Sequence, residues 1–142
     1  MKNLVAFFGL VLCLFPLLFV EDNFDFLSSY EKVVLVSDKK LNENCIQNGN
    51  EFYHSFENDD WKKWKNDSSA LIFYFKKFDI ENFKKKCEQF YSCTDVENYK
   101  VYQGVYAGYN NFVFVDGKKV NFQLVIKENE IVLGFPMIVV GF

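Results

Sequence analysis

Leu41 to Trp64 reads LNENCIQNGNEFYHSFENDDWKKW, and the fold turns on how this stretch is read. Leu41, Cys45, Gly49, Phe52 and Phe56 recur at i, i+4, i+8, i+11 and i+15, with Ile46 and Tyr53 beside them. That spacing is the ladder of one helical face. A polar break, Asn58-Asp59-Asp60, follows, and Trp61 and Trp64 restart the pattern one turn apart. Asp59 or Asp60 can cap that second, short helix. Upstream, Ser28 and Glu31 stand at capping-box spacing. The pattern therefore predicts one long helix over about 28–57, weakened at Gly49, where glycine costs about 1 kcal/mol against alanine. Val33-Val34-Leu35-Val36 also reads as a short strand, because three of the four residues are β-branched.

Downstream, Asn66 to Ser69 is a polar turn, and Ala70 to Phe75 is an apolar run of the kind that forms a buried strand. Asp79 can cap a helix that carries Ile80, Phe83, Cys87 and Phe90 on one face and ends near Tyr91. The remainder reads as strands. Tyr99 to Gly108 alternates, with Gly104 and Gly108 as sites of bulging. Asp116-Gly117, between Phe114 and Val120, is the strongest hairpin signal in the chain. Phe122, Leu124 and Ile126 alternate, Glu128-Asn129 is a tight turn, and Ile131 to Val140 is a last strand bent at Pro136. Helices come first and strands in a run. The expected class is α+β: a long N-terminal helix and two shorter helices packed on a bent, mostly antiparallel sheet, cone-like around an apolar interior.

At 142 residues the chain is expected to hold one domain. Half its residues are hydrophobic and a fifth aromatic, with 18 Phe, which excludes disorder. Its basic residues are all Lys, and its net charge is −3, so nucleic acid is not an expected partner. Residues 1–20 read as a signal peptide: Lys2, then an apolar run from Leu4 to Val20, about 17 residues and short for a membrane span. The single domain is then 21–142, secreted and extracellular, with no membrane partner after leader removal. No A-x-A cleavage pattern precedes Glu21, so an uncleaved anchor stands as the alternative.

Secretion permits disulfides. Cys45, Cys87 and Cys93 give one bridge and one free thiol, with Cys45 bonded to either of the others, and the sequence does not choose. Their spacing does not suit a metal, and neither a metal nor a cofactor is expected. Asn66-Asp67-Ser68 is an N-glycosylation sequon on an expected surface loop.

Phe52-Tyr53-His54-Ser55-Phe56-Glu57-Asn58-Asp59-Asp60-Trp61-Lys62-Lys63-Trp64 resembles the end of the first helix and start of the second in the nuclear-transport-factor-2-like superfamily. It is similar in particular to small secreted members known from nematodes. The resemblance implies a cone with a pocket between the long helix and the curved sheet. It also brings functions ranging from isomerases and dehydratases to partner-binding proteins.

On that frame Phe52, Phe56, Trp61, Trp64, Tyr102 and Tyr106 are the candidates to line a pocket. No catalytic residue is assigned. His54, the one histidine, lies two residues from both Phe52 and Phe56, which on a helix turns it away from the apolar stripe. The expected function is a secreted, non-catalytic domain that binds a small apolar ligand in the cone or a protein partner on the sheet face. A homodimer joined through the sheet is a further expectation. The alternative is an isomerase or dehydratase of small molecules, using a pocket Tyr and an acid the sequence does not identify.

Overall fold

The computed structural model describes residues 23, 24, 27, 29–96 and 98–138, with 93–96 described by backbone alone. Its strands are β1 (Lys32–Ser37), β2 (Cys45–Asn48), β3 (Glu51–Phe56), β4 (Ala70–Phe75), β5 (Cys87–Val96), β6 (Tyr99–Tyr106), β7 (Val113–Val115), β8 (Lys118–Val120), β9 (Phe122–Ile126) and β10 (Ile131–Phe135). One short helix, α1 (Ile80–Lys85), and two 3₁₀ turns, Asp59–Lys63 and Lys65–Asp67, interrupt them. Eight strands form one sheet in the order β2-β3-β1-β4-β10-β9-β6-β5, and β7 and β8 form a separate hairpin. All the pairings are antiparallel.

The expected α+β class with a long N-terminal helix is therefore wrong. The segment read as helix 28–57 is β1, β2 and β3, and the helical element that carries the superfamily resemblance is a hairpin. The reason lies in the turn. Asn48 pairs with Glu51, so Gly49-Asn50 is a two-residue connection, and Gly49 holds a φ of 62°. A glycine first in such a turn closes a hairpin. Phe52, His54 and Phe56 then share a face at period two. The last strand, predicted to reach Val140, ends at Phe135, and residues 136–138 leave the sheet; Ser28, the leader 1–20 and residues 139–142 lie outside the described residues.

The third predicted helix is also shorter than expected. Asp79 does cap it, its side chain accepting from the Asn82 amide at 2.9 Å. The helix stops at Lys85, and Cys87 and Phe90 belong to β5. Asn58, rather than Asp59 or Asp60, caps the Trp61 turn, accepting from the Asp60 amide at 3.0 Å.

Cross-strand register sorts the core. Val33, Leu35, Phe56, Leu71, Phe73, Phe122, Leu124, Leu133 and Phe135 bury one face of the sheet. Phe24, Leu27, Trp61, Phe83 and Tyr109 cover that face. Trp61 meets Phe73 edge-on at 5.2 Å, Phe83 meets Phe122 at 5.0 Å, and Phe24 meets Phe135 at 5.1 Å. Such pairs add about 1 kcal/mol each to the burial of their rings. Val36, Ala70, Ile72, Val125 and Val132 bury the centre of the opposite face. There the chain beyond β10 crosses close above Gly134, where a Cβ would stand 2.7 Å from Ile138. The face expected to be open for a partner or a second copy is thus covered at its centre by this same chain.

Candidate interaction surface

The β7–β8 hairpin stands apart from the eight-stranded sheet, and its turn is as the sequence predicts. Asp116 has φ 49° and Gly117 φ 75°, the two positive values of a type I′ connection. Val113 pairs with Val120, Phe114 with Lys119 and Val115 with Lys118. Val120 is fully buried against the body. Alternation therefore turns Phe112, Phe114 and Lys119 outward. Phe114 is 70 % exposed and Phe112 46 %. Their rings meet edge-to-face at 5.6 Å. The Lys119 ammonium sits 4.3 Å from the centre of the Phe112 ring, and that of Lys118 4.8 Å from the Tyr91 ring on β5. Each is at cation–π distance.

The root of this hairpin is braced. Asn121 is only 2 % exposed. Its side-chain oxygen accepts from the Tyr106 amide at 2.6 Å, and its amide nitrogen donates to the carbonyls of Tyr106 and Tyr109 at 2.8 and 2.7 Å. Asn23 joins the same corner: its amide donates to Gly108 O at 2.7 Å, and the Tyr106 hydroxyl donates to its carbonyl at 2.6 Å.

The pocket candidates have another use. Phe56, Trp61 and Tyr106 are buried in the aromatic core, and Trp64 and Tyr102 pack against it. Phe52 is half-buried on β3. Trp61 donates its ring N–H to the Tyr30 hydroxyl at 3.0 Å, and Tyr102 lies 5.1 Å from Phe90. Apart from Phe52, these rings belong to the core or pack against it. Two open grooves lie elsewhere. One of about 310 Å³ is lined by Tyr99, Lys127 and Glu130, and one of about 370 Å³ by Asp38, Lys39 and Asn66–Ser69.

His54, expected at the surface, is fully buried. On a strand, a two-residue spacing puts it on the same face as Phe52 and Phe56, opposite Leu35 and Cys45. The Ser37 hydroxyl donates to Lys39 O at 2.6 Å and so accepts from His54 Nε2 at 3.1 Å. Nδ1 lies 3.2 Å from Asn42 Oδ1. Both ring nitrogens are engaged in holding the Asp38–Asn42 connection to β3. Cys45 and Cys87 are free thiols on the two edge strands, so the bridge between them is not formed; the Cys93 side chain lies outside the description. Burial pushes the Cys87 thiol up to about 12.

A Tyr beside an acid occurs at Tyr30, whose hydroxyl donates to Asp59. The Tyr30 and Lys62 hydrogen bonds hold the Asp59 carboxyl below its usual range, and burial with the Asp59 bond raises Tyr30. Among the described residues, no cluster of three or more His, Cys, Asp or Glu is placed to hold a metal. Comparison of the chain with protein-family models, with characterised proteins and with solved structures finds no match.

The exposed Phe pair was absent from the sequence candidates, although its signal was present. Phe112-Val113-Phe114-Val115 is apolar on both faces of one strand. A two-stranded hairpin buries only one.

Proposed function

We propose that this chain is a secreted, non-catalytic binding module that makes contact through the β7–β8 hairpin. The observation that carries this reading is Phe114, largely exposed beside Phe112 and Lys119 on a hairpin whose root is pinned by a buried Asn. Among the described residues most aromatic rings pack inward, and Phe112 with Phe114 is a paired, exposed exception of the kind that supports a partner surface. Exposed aromatic rings also match the composition of contact surfaces. The residues best suited to acid–base work are committed elsewhere. His54 is sealed, with its ring nitrogens against Ser37 and Asn42, and Asp59 is held as an anion, the opposite of the raised carboxyl a general base requires. That weighs against the isomerase or dehydratase reading. Secretion accords with Asn66, which is exposed in its short 3₁₀ turn and free to be glycosylated.

The test is site-specific photocrosslinking in cells that produce the full chain, with benzoylphenylalanine in place of Phe114. Ile46, 74 % exposed on the far edge strand β2, serves as the control position. Adducts at 114 and not at 46 are expected. Equal adducts at both positions, or no adduct to protein or lipid at 114, would refute the hairpin as the contact. An enzyme-sensitive mass shift that disappears in Asn66→Gln is expected of the exported protein.

A further inference from the structure

We infer that the hairpin's partner is a lipid surface with acidic headgroups, an assignment that rests on the hairpin being the contact surface. Two independent observations meet here. The first is the chemistry of the hairpin. Phe112 and Phe114 project together, and the Lys119 ammonium lies against the Phe112 ring on the same face. Rings of this kind enter the boundary between headgroups and acyl chains, while lysine stems reach back to phosphate. Lys118 adds a second ammonium to the hairpin, on the valine face and over the Tyr91 ring, against the single carboxylate of Asp116 at the turn. The hairpin is therefore locally cationic on a chain whose net charge is −3. Charge of this sign at an acidic membrane surface attracts.

The second observation is where the most apolar stretch of the chain leaves the domain. Asn23 is fixed to the hairpin root by its bonds with Gly108 and Tyr106. Val20, the last residue of the apolar run Leu4–Val20, is three residues from Asn23 in the sequence. The end of the domain that trails this segment during export, or stays tethered to it as an anchor, is the end that carries the exposed rings. Ile46 shows the contrast: it is equally exposed but stands on the opposite edge strand, among Gln47, Asn48 and Glu51. A lipid partner departs from the expectation that the mature chain has no membrane partner.

The full chain, synthesised cell-free with vesicles of phosphatidylcholine and phosphatidylserine brominated in their acyl chains, tests it. Phe114→Trp reports depth at an exposed position, and the wild type, with buried Trp61 and half-buried Trp64, gives the background. Emission of the variant is expected to shift to the blue and to be quenched well beyond the wild type. Adding Lys118→Glu and Lys119→Glu should remove most of that extra quenching. A variant quenched no more than the wild type overturns the inference, and equal quenching in phosphatidylcholine alone overturns the acidic headgroup. If the vesicle result is negative while position 114 crosslinks to a protein, the hairpin remains the contact and its partner is a protein. If neither is seen, both readings fall.

Discussion

Replacing Asn121 with Ala removes three hydrogen bonds at once from a site almost closed to water. The bonds measure 2.6, 2.8 and 2.7 Å, and they join the end of β6 to the loop that leads into the hairpin. A buried hydrogen bond contributes about 1 kcal/mol net, and more when its loss strands a partner. Asn121→Ala should therefore cost about 3 kcal/mol, a large share of the 5–15 kcal/mol that holds a domain together.

Asn121→Asp sharpens the test. The carboxylate keeps the acceptor facing the Tyr106 amide but sets negative oxygens against the Tyr106 and Tyr109 carbonyls. At neutral pH it should destabilise more than Ala does. Burial beside two carbonyls raises the folded pKa of this introduced group above its unfolded value. Its penalty is therefore absent below about pH 4, grows as pH rises through the unfolded value, and levels off above the folded one. Urea unfolding followed by Trp61 fluorescence at pH 7 and pH 4 reads both variants. An Ala variant within about 1 kcal/mol of the wild type, or an Asp variant as stable as Ala at pH 7, would show that Asn121 does not brace the hairpin.

Three further outcomes are expected. Gly104→Ala points a methyl group at the Gln89 carbonyl and within 3.1 Å of the Phe122 ring. It should cost about 2 kcal/mol or more and speed hydrogen exchange along β5, and unchanged exchange there would contradict it. Cys87, with its thiol raised by burial to about 12, should resist iodoacetamide in the native protein at pH 8 and react on unfolding; peptide mapping that finds rapid native alkylation would refute this. Tyr30→Phe deletes the largest cause of the depressed Asp59 pKa, the second being Lys62. A depressed carboxyl contributes stability above its unfolded value that is lost as pH falls through the folded one, so the variant's deficit should narrow on acidification. An NMR titration in which Asp59 does not rise in the variant would contradict the assignment.

How far the fold was legible depended on whether its signals were local. β4 was readable because Ala70–Phe75 lies at the centre of the sheet, apolar on both faces. The β7–β8 turn was readable because Asp116-Gly117 meets its backbone requirement within two residues. Leu41–Trp64 was not. β2 is an edge strand, mostly exposed, so Cys45–Asn48 shows no apolar alternation to set against a helical ladder. The helical spacing of Cys45, Gly49, Phe52 and Phe56 was a coincidence of two strands and the turn between them. β5 misled for a different reason: its register slips between Cys87 and Gln89, which breaks the period of two and leaves Cys87 and Phe90 three apart, as on a helix. His54 followed from the first error, since its neighbours at ±2 share its face on a strand and oppose it on a helix. The hairpin surface needed no tertiary knowledge. Once Asp116-Gly117 is accepted as its turn, the row Phe112-Val113-Phe114-Val115 is apolar on both sides. A two-stranded ribbon can lay only one of them on the body, so either the valines or the phenylalanines must face outward. What sequence alone lacked was Val120, whose burial fixes the valine side inward and turns the rings outward.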